Sequence, residues 1–201
     1  MKNYILYLIL CCSSVIFAQS QFCEISVQGL KESTLYITGK TNINTFTCEF
    51  NTEYLKPCQQ ILYCEKEEVI EFKNAGLVLK ATGFDCGSRG INRDFQKLLQ
   101  TDKYPEIKLE LLKAELKNNK IMTTLNIVMA GKSRTYAVPV AIRGGETKNF
   151  NGQLVLQLSD YDLSLPSKLF GLIEVKDEIT IDFDIAVKFK MAEQFTQAQS
   201  N

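Results

Sequence analysis

The chain contains no histidine. That removes Ser-His and Cys-His activation of a nucleophile and the commonest zinc and iron ligand. It also lacks the Gly-rich phosphate loops GxGxxG and GxxxxGK[ST] and the nucleophile elbow GxSxG. Gly144-Gly145 stands alone and reads as a turn. No Asp or Glu pair stands out from the solvated background, so carboxylate catalysis has no visible carrier. An enzyme is the minority reading, and neither cofactor nor metal is expected. Net charge is lacking too: 23 Lys and Arg offset 23 Asp and Glu in 201 residues. No basic surface of the kind that binds polyanions is expected, and nucleic acid is not an expected partner.

The only long apolar run is at the start. Lys2 supplies a charge, residues 4–17 are mostly apolar, and Ala18 is a small residue before a cleavage point. That is the form of a secretory signal peptide. The run is shorter than the ~20 residues a membrane-spanning helix needs. The reading is a signal peptide over 1–18 and a single domain over 19–201, periplasmic or secreted, with no integral membrane span. No repeat or linker divides the remainder, which is long enough to bury one core.

Cleavage would remove Cys11 and Cys12 and leave Cys23, Cys48, Cys58, Cys64 and Cys86. There is no CxxC, so the spacing does not suggest zinc; in an oxidising compartment disulfides are expected. The preferred pairing is Cys48–Cys86, closing a loop of about 38 residues, with Cys58–Cys64 as a weaker second and Cys23 left over. The spacing does not prove either connectivity.

What is present in abundance is alternation. In "EITIDFDIAVKF" (178–189), Ile179, Ile181, Phe183, Ile185, Val187 and Phe189 face one way and polar residues mostly the other. Ile107, Leu109 and Leu111 repeat the pattern, as do Leu154, Leu156 and Leu158, and Leu125, Ile127 and Met129. Nine or ten short strands with turns between them suggest a sandwich or a barrel. A barrel of about eight strands can be filled by side chains or hold one small ligand, and alternation does not decide which.

One segment breaks the pattern. "FDCGSRGINRDFQKLLQTDKYPEIKLEL" (84–111) holds one short helix around residues 90–101, with Gly87 and Gly90 permitting its start and Pro105 stopping it. Phe95, Leu98 and Leu99 give it an apolar face. Arg89, Arg93, Lys97 and Lys103 could meet a phosphate, but a solvated helix face is the preferred reading. Asp85, Asp94 and Asp160 read as caps or turn formers.

In order and spacing, several segments resemble the YceI-like family of exported bacterial proteins, in particular its cysteine-containing branch of Bacteroidetes type. They are "ITGKTNINTFTCEF" (37–50), the 84–111 segment, "LSDYDLSLP" (158–166) and "GLIEVKDEITIDFDIAV" (171–187). The resemblance implies an all-β, lipocalin-like extended antiparallel β-barrel. Its interior would hold a long apolar or amphiphilic small-molecule ligand of polyisoprenoid, quinone or fatty-acid type, with no catalytic residue. The pocket candidates are Phe46, Phe84, Phe95, Tyr104, Ile107, Leu109, Leu125, Ile127, Met129, Leu154, Leu156, Phe170 and Phe183. On this reading the Cys48–Cys86 bridge staples the barrel mouth and the helix is a lid over it. The charge-rich "NTEYLKPCQQILYCEKEEV" (51–69) departs from the family pattern. The alternative is a fully packed barrel, a structural or interaction protein working through its outer surface. The oligomeric state is left open, a dimer being one option.

Overall fold

The computed structural model describes residues 22–55, 58–117, 120–164, 167–168 and 173–191. The expected signal peptide and Phe170 lie outside these residues. Thirteen strands and one helix follow one another as β1 (Cys23–Gly29), β2 (Thr34–Thr41), β3 (Thr45–Phe50), β4 (Cys58–Lys66), β5 (Val69–Lys73), β6 (Gly76–Lys80), β7 (Phe84–Asp85), α1 (Arg89–Leu98), β8 (Glu106–Lys117), β9 (Lys120–Met129), β10 (Lys132–Arg143), β11 (Thr147–Gln157), β12 (Ser167–Lys168) and β13 (Ile173–Met191). The alternating segments are strands and the single interruption is a helix. Both follow from the period of the apolar residues.

Eight strands close a ring in the order β1-β4-β5-β8-β9-β10-β11-β13, with β13 returning to β1. The pairings are antiparallel throughout. Closure leaves the ring without an edge. The barrel is longer than its shorter strands because β8 and β13 each serve two partners. The second half of β13 pairs with β1 (Gly29↔Val187) and its first half with β2 (Thr34↔Asp184). Likewise β8 pairs with β5 near its end (Val69↔Glu115) and with β6 near its start (Leu79↔Ile107). The wall beyond β1 and β5 is therefore built by β2, β3, β7 and β6, with α1 lying across that end.

Local chemistry explains where α1 starts. Ser88 caps it, its Oγ accepting from the Ile91 amide at 3.3 Å. Gly87 takes φ +83°, a conformation that suits glycine. Asp85 ties the turn to the helix by accepting from the Gly87 amide and from Asn92 Nδ2, both at 3.0 Å, while Asn92 Oδ1 accepts from the Cys86 amide at 2.6 Å. The Asn92 bond first and the Gly87 amide second hold the Asp85 carboxyl below its ordinary value of 3.8. A depressed carboxylate stabilises the fold above its unfolded pKa, and that contribution is lost as pH falls through the lower, folded value. The expected result is that wild type loses stability on acidification below about pH 4 more steeply than Asp85→Asn. Urea midpoints at pH 7 and pH 3 measure it; parallel losses would refute it.

The disulfide Cys48–Cys86 joins β3 to the residue after β7, as preferred from the sequence. The Cys58–Cys64 pairing is not made, and both are free thiols, as is Cys23. The reason is that "CQQILYCEK" is one extended strand. Six residues at ~3.3 Å each separate the two cysteines by about 20 Å, whereas a disulfide needs Cα atoms within ~7 Å. At the other end of the chain's short-range contacts, Asp177 rather than Asp160 bonds the strand end, accepting from the Ser159 amide at 2.7 Å.

A half-filled barrel

Side chains on the inner face divide the barrel along its axis. At the α1 end they form a solid plug: Ile37, Leu79, Ile107, Ile127, Val138, Leu156 and Ile179 are all buried, Ile127 to 1 % and Val138 to 0 % exposure. Phe50, Phe84 and Phe95 stack in sequence against them, with ring centroids 4.9 Å and 5.3 Å apart. The disulfide is part of this plug. Deep in it, burial first and the adjacent Tyr136 hydroxyl second raise the Tyr161 phenol far above its ordinary value, so it stays neutral.

Two residues further along each wall strand the interior is hollow. A cavity of about 280 Å³ is lined by Leu35, Leu77, Leu109, Leu125, Val140, Leu154 and Ile181. Each is the i±2 neighbour of a plug residue, so the boundary is crossed in a single step on β2, β6, β8, β9, β10, β11 and β13. Beyond that level Phe183, Ile185, Val187 and Phe189 continue the lining along β13, faced by Val27, Ile61, Phe72 and Phe150. Phe183 lies in the space over Gly152, where an added Cβ would come within 2.7 Å of its ring. Phe150 and Phe189 meet edge to face at 6.2 Å, and Phe189 is 41 % exposed, so the cavity reaches the surface there.

Among the described residues the lining contains no ionisable side chain. Its polar side chains are Ser33, Gln59 and Thr123. Ser33 is satisfied by the Ala186 backbone, accepting from its amide at 3.0 Å and donating to its carbonyl at 3.3 Å. Thr123 donates to the Val138 carbonyl at 2.9 Å. The Gln59 amide has no such partner among the described residues and faces an otherwise apolar space. Among the same residues no three His, Cys, Asp or Glu side chains gather as a metal site.

Of the pocket candidates, Leu109, Leu125, Leu154 and Phe183 line the cavity. Ile107, Ile127, Met129, Leu156, Phe84 and Phe95 belong to the buried plug, and Phe46 and Tyr104 pack against it half-buried. Alternation identified the inner face but not the level along the axis at which the interior empties. Leu35, Val140, Ile181, Ile185, Val187 and Phe150 were missed as lining residues; Ile181, Ile185 and Val187 lay on the same alternating face as Phe183. The expectation that α1 is a lid and that Cys48–Cys86 staples the mouth is reversed. Both sit at the plugged end, and no α1 residue touches the cavity. Arg89, Arg93, Lys97 and Lys103 are exposed, as a solvated face requires. The fully packed interior holds for the plugged half alone.

A family model described as the YceI-like domain matches residues 31–187. No curated protein sequence matches the chain. Among solved structures, BcnA of Burkholderia cenocepacia is similar with a TM-score of 0.61 at 18% identity, over 77% of this chain and 96% of that one. A polyisoprenoid binding domain from Saccharophagus degradans, implicated in plant cell wall breakdown, gives 0.56 at 9% identity over 84% and 99%. A YCEI protein of Campylobacter jejuni gives 0.50 at 19% over 59% and 73%. At these identities the likeness is one of fold.

Proposed function

The chain belongs to the YceI-like domain family, and from that premise we propose that it is an exported binding protein, not an enzyme, which holds a long apolar or amphiphilic lipid in the hollow half of its barrel. The observation that carries this is the lining: apolar on every strand, free of charge, with its hydroxyls bonded to the wall. An empty apolar space gains nothing from water, which needs polar partners to enter. It gains about 0.8 kcal/mol for each ligand methylene it removes from solvent. Ten methylenes give ~8 kcal/mol before association costs, so the driving force for binding comes from the apolar chain and grows with its buried length.

The cavity is near the lower end of ligand pockets, about 300–1,000 Å³. A linear chain with its tail inside and the remainder emerging past Phe189 fits such a space better than a bulky ring system. Polyisoprenoid, quinone and fatty-acid types share that form, and the structural likeness to a polyisoprenoid binding domain supports the first. The unpartnered Gln59 amide offers one donor pair and one acceptor, which favours a neutral head or mid-chain group able to hydrogen-bond. Export is supported by the form of residues 1–18 and by the Cys48–Cys86 disulfide, which persists in oxidising compartments. No helix among the described residues is long and apolar enough to cross a membrane.

Organic extraction of the purified mature protein, followed by mass spectrometry, tests the proposal. The expected result is one class of long-chain amphiphile in near-stoichiometric amount. A protein that yields no lipid and takes up no apolar fluorescent probe would end this reading.

A further inference from the structure

The rim of the cavity is not uniform. On the arc formed by the ends of β8, β9, β10, β11 and β13, the inner face presents large apolar side chains to solvent: Leu116 is 53 % exposed, Ile142 42 % and Phe189 41 %. The row is continuous, since Leu116 pairs with Ile121, Ile121 with Val140, Ile142 with Phe150, and Phe150 touches Phe189. Around the same arc stand Lys117, Lys120, Arg143, Lys148, Lys188 and Lys190. Lys117 and Lys120 are direct cross-strand partners, a pairing of like charges that disfavours the isolated hairpin. The carboxylates on this arc, Glu115 and Glu146, are already in ion pairs with Lys113 at 3.4 Å and Lys188 at 3.3 Å. Next to Leu116, whose amide donates to the Glu68 carbonyl at 3.2 Å, the β4–β5 hairpin carries Glu65, Glu67, Glu68 and Glu71, with Lys66 engaged by Glu71 at 2.7 Å.

The opening thus carries cations beside its exposed apolar tips from β8 round to β13, and an acidic hairpin on the remaining arc that begins next to Leu116. Exposed apolar tips inside a basic collar match the two attractions of an anionic bilayer, apolar insertion at the interface and charge at the head groups. We propose that this arc docks onto an anionic lipid surface and turns the cavity mouth toward it. The acidic β4–β5 hairpin beside Leu116 is repelled by that surface, which tilts the contact toward the β10, β11 and β13 side of the arc. An acidic protein partner would use the collar but leave the apolar row without a function. This inference goes beyond the ligand reading and holds whatever the cavity carries.

Flotation of the mature protein with vesicles tests it. Vesicles of phosphatidylcholine mixed with phosphatidylglycerol should retain the protein, and pure phosphatidylcholine should not. Binding should fall away near 1 M salt, where screening shortens to about 3 Å. Each basic residue near an anionic surface adds about fivefold to affinity, so Lys117→Ser/Lys120→Ser/Arg143→Ser should lose roughly a hundredfold. Leu116→Ser/Ile142→Ser should also weaken retention. These positions are exposed, and unchanged melting temperature and probe uptake would show that fold and cavity are intact. Equal binding to both vesicle types, no binding to either, or full binding by the triple variant would each overturn the docking. A protein that takes up an apolar probe but ignores vesicles would do so while leaving the ligand proposal standing.

Discussion

Reduction of the Cys48–Cys86 disulfide should lower the melting temperature by roughly 8–15 °C while leaving ligand uptake in the folded protein nearly unchanged. The first half of that statement follows from loop closure. The bridge spans a sequence separation of 38. Cross-linking a loop of that length removes about 3–4 kcal/mol worth of conformational freedom from the unfolded chain at 25 °C. In a chain of this size each 1 kcal/mol moves the melting temperature by about 2–4 °C. The second half follows from position, because both cysteines lie in the plug, 0 % and 5 % exposed, and neither lines the cavity. Thermal melts with and without reductant measure the first, and titration of a fluorescent fatty-acid analogue below the reduced melting point measures the second. A Cys48→Ala/Cys86→Ala variant should melt low in both conditions, which separates this bridge from Cys23, Cys58 and Cys64. If reduction changed affinity as much as stability, the bridge would have to act on the mouth, contrary to the geometry.

The all-β character, the single helix and the bridging cysteines were legible from local signals. Period-two alternation marks strands, Gly87, Gly90 and Pro105 bound the helix, and Cys48–Cys86 is the preferred pairing although spacing alone does not prove it. What was not legible depends on register. Ile127 and Leu125 are two residues apart on the same face of β9, chemically alike, and one is plug while the other is cavity. Their difference is set by how far each strand is shifted against its neighbours, a property of the closed ring and not of any segment. The two-partner arrangement of β8 and β13 is hidden for the same reason. Reading the helix as a lid failed because a helix between two strands can cover either end of a barrel, and only the pairing of β3 with β7 places it. Cys58–Cys64 failed on a local point: the charge-rich run around them is a strand, which keeps its cysteines apart.

That division between plug and cavity predicts a double dissociation at Ile127 and Leu125. Ile127→Ala removes methylenes from a site 1 % exposed and enclosed on all sides. It should cost about 2–5 kcal/mol, a large part of a typical domain's stability. Ligand affinity should change by less than a few-fold, because the wall facing the cavity is untouched. Leu125→Trp does the reverse. The larger side chain grows into empty space, so stability should shift by no more than about 1 kcal/mol, less than overpacking a filled core costs. It excludes two or three ligand methylenes at about 0.8 kcal/mol each, lowering affinity roughly 10- to 60-fold. The chain has no tryptophan of its own, so the new indole reports its surroundings without interference. Its emission should be blue-shifted in the free protein and change when a fatty-acid analogue is added. Urea titration gives the stability of both variants, and probe titration gives the affinity. Wild-type affinity in Leu125→Trp, or loss of binding in a folded Ile127→Ala, would mean that the ligand sits deeper than the boundary between these two residues. The hollow half would then not be the binding site.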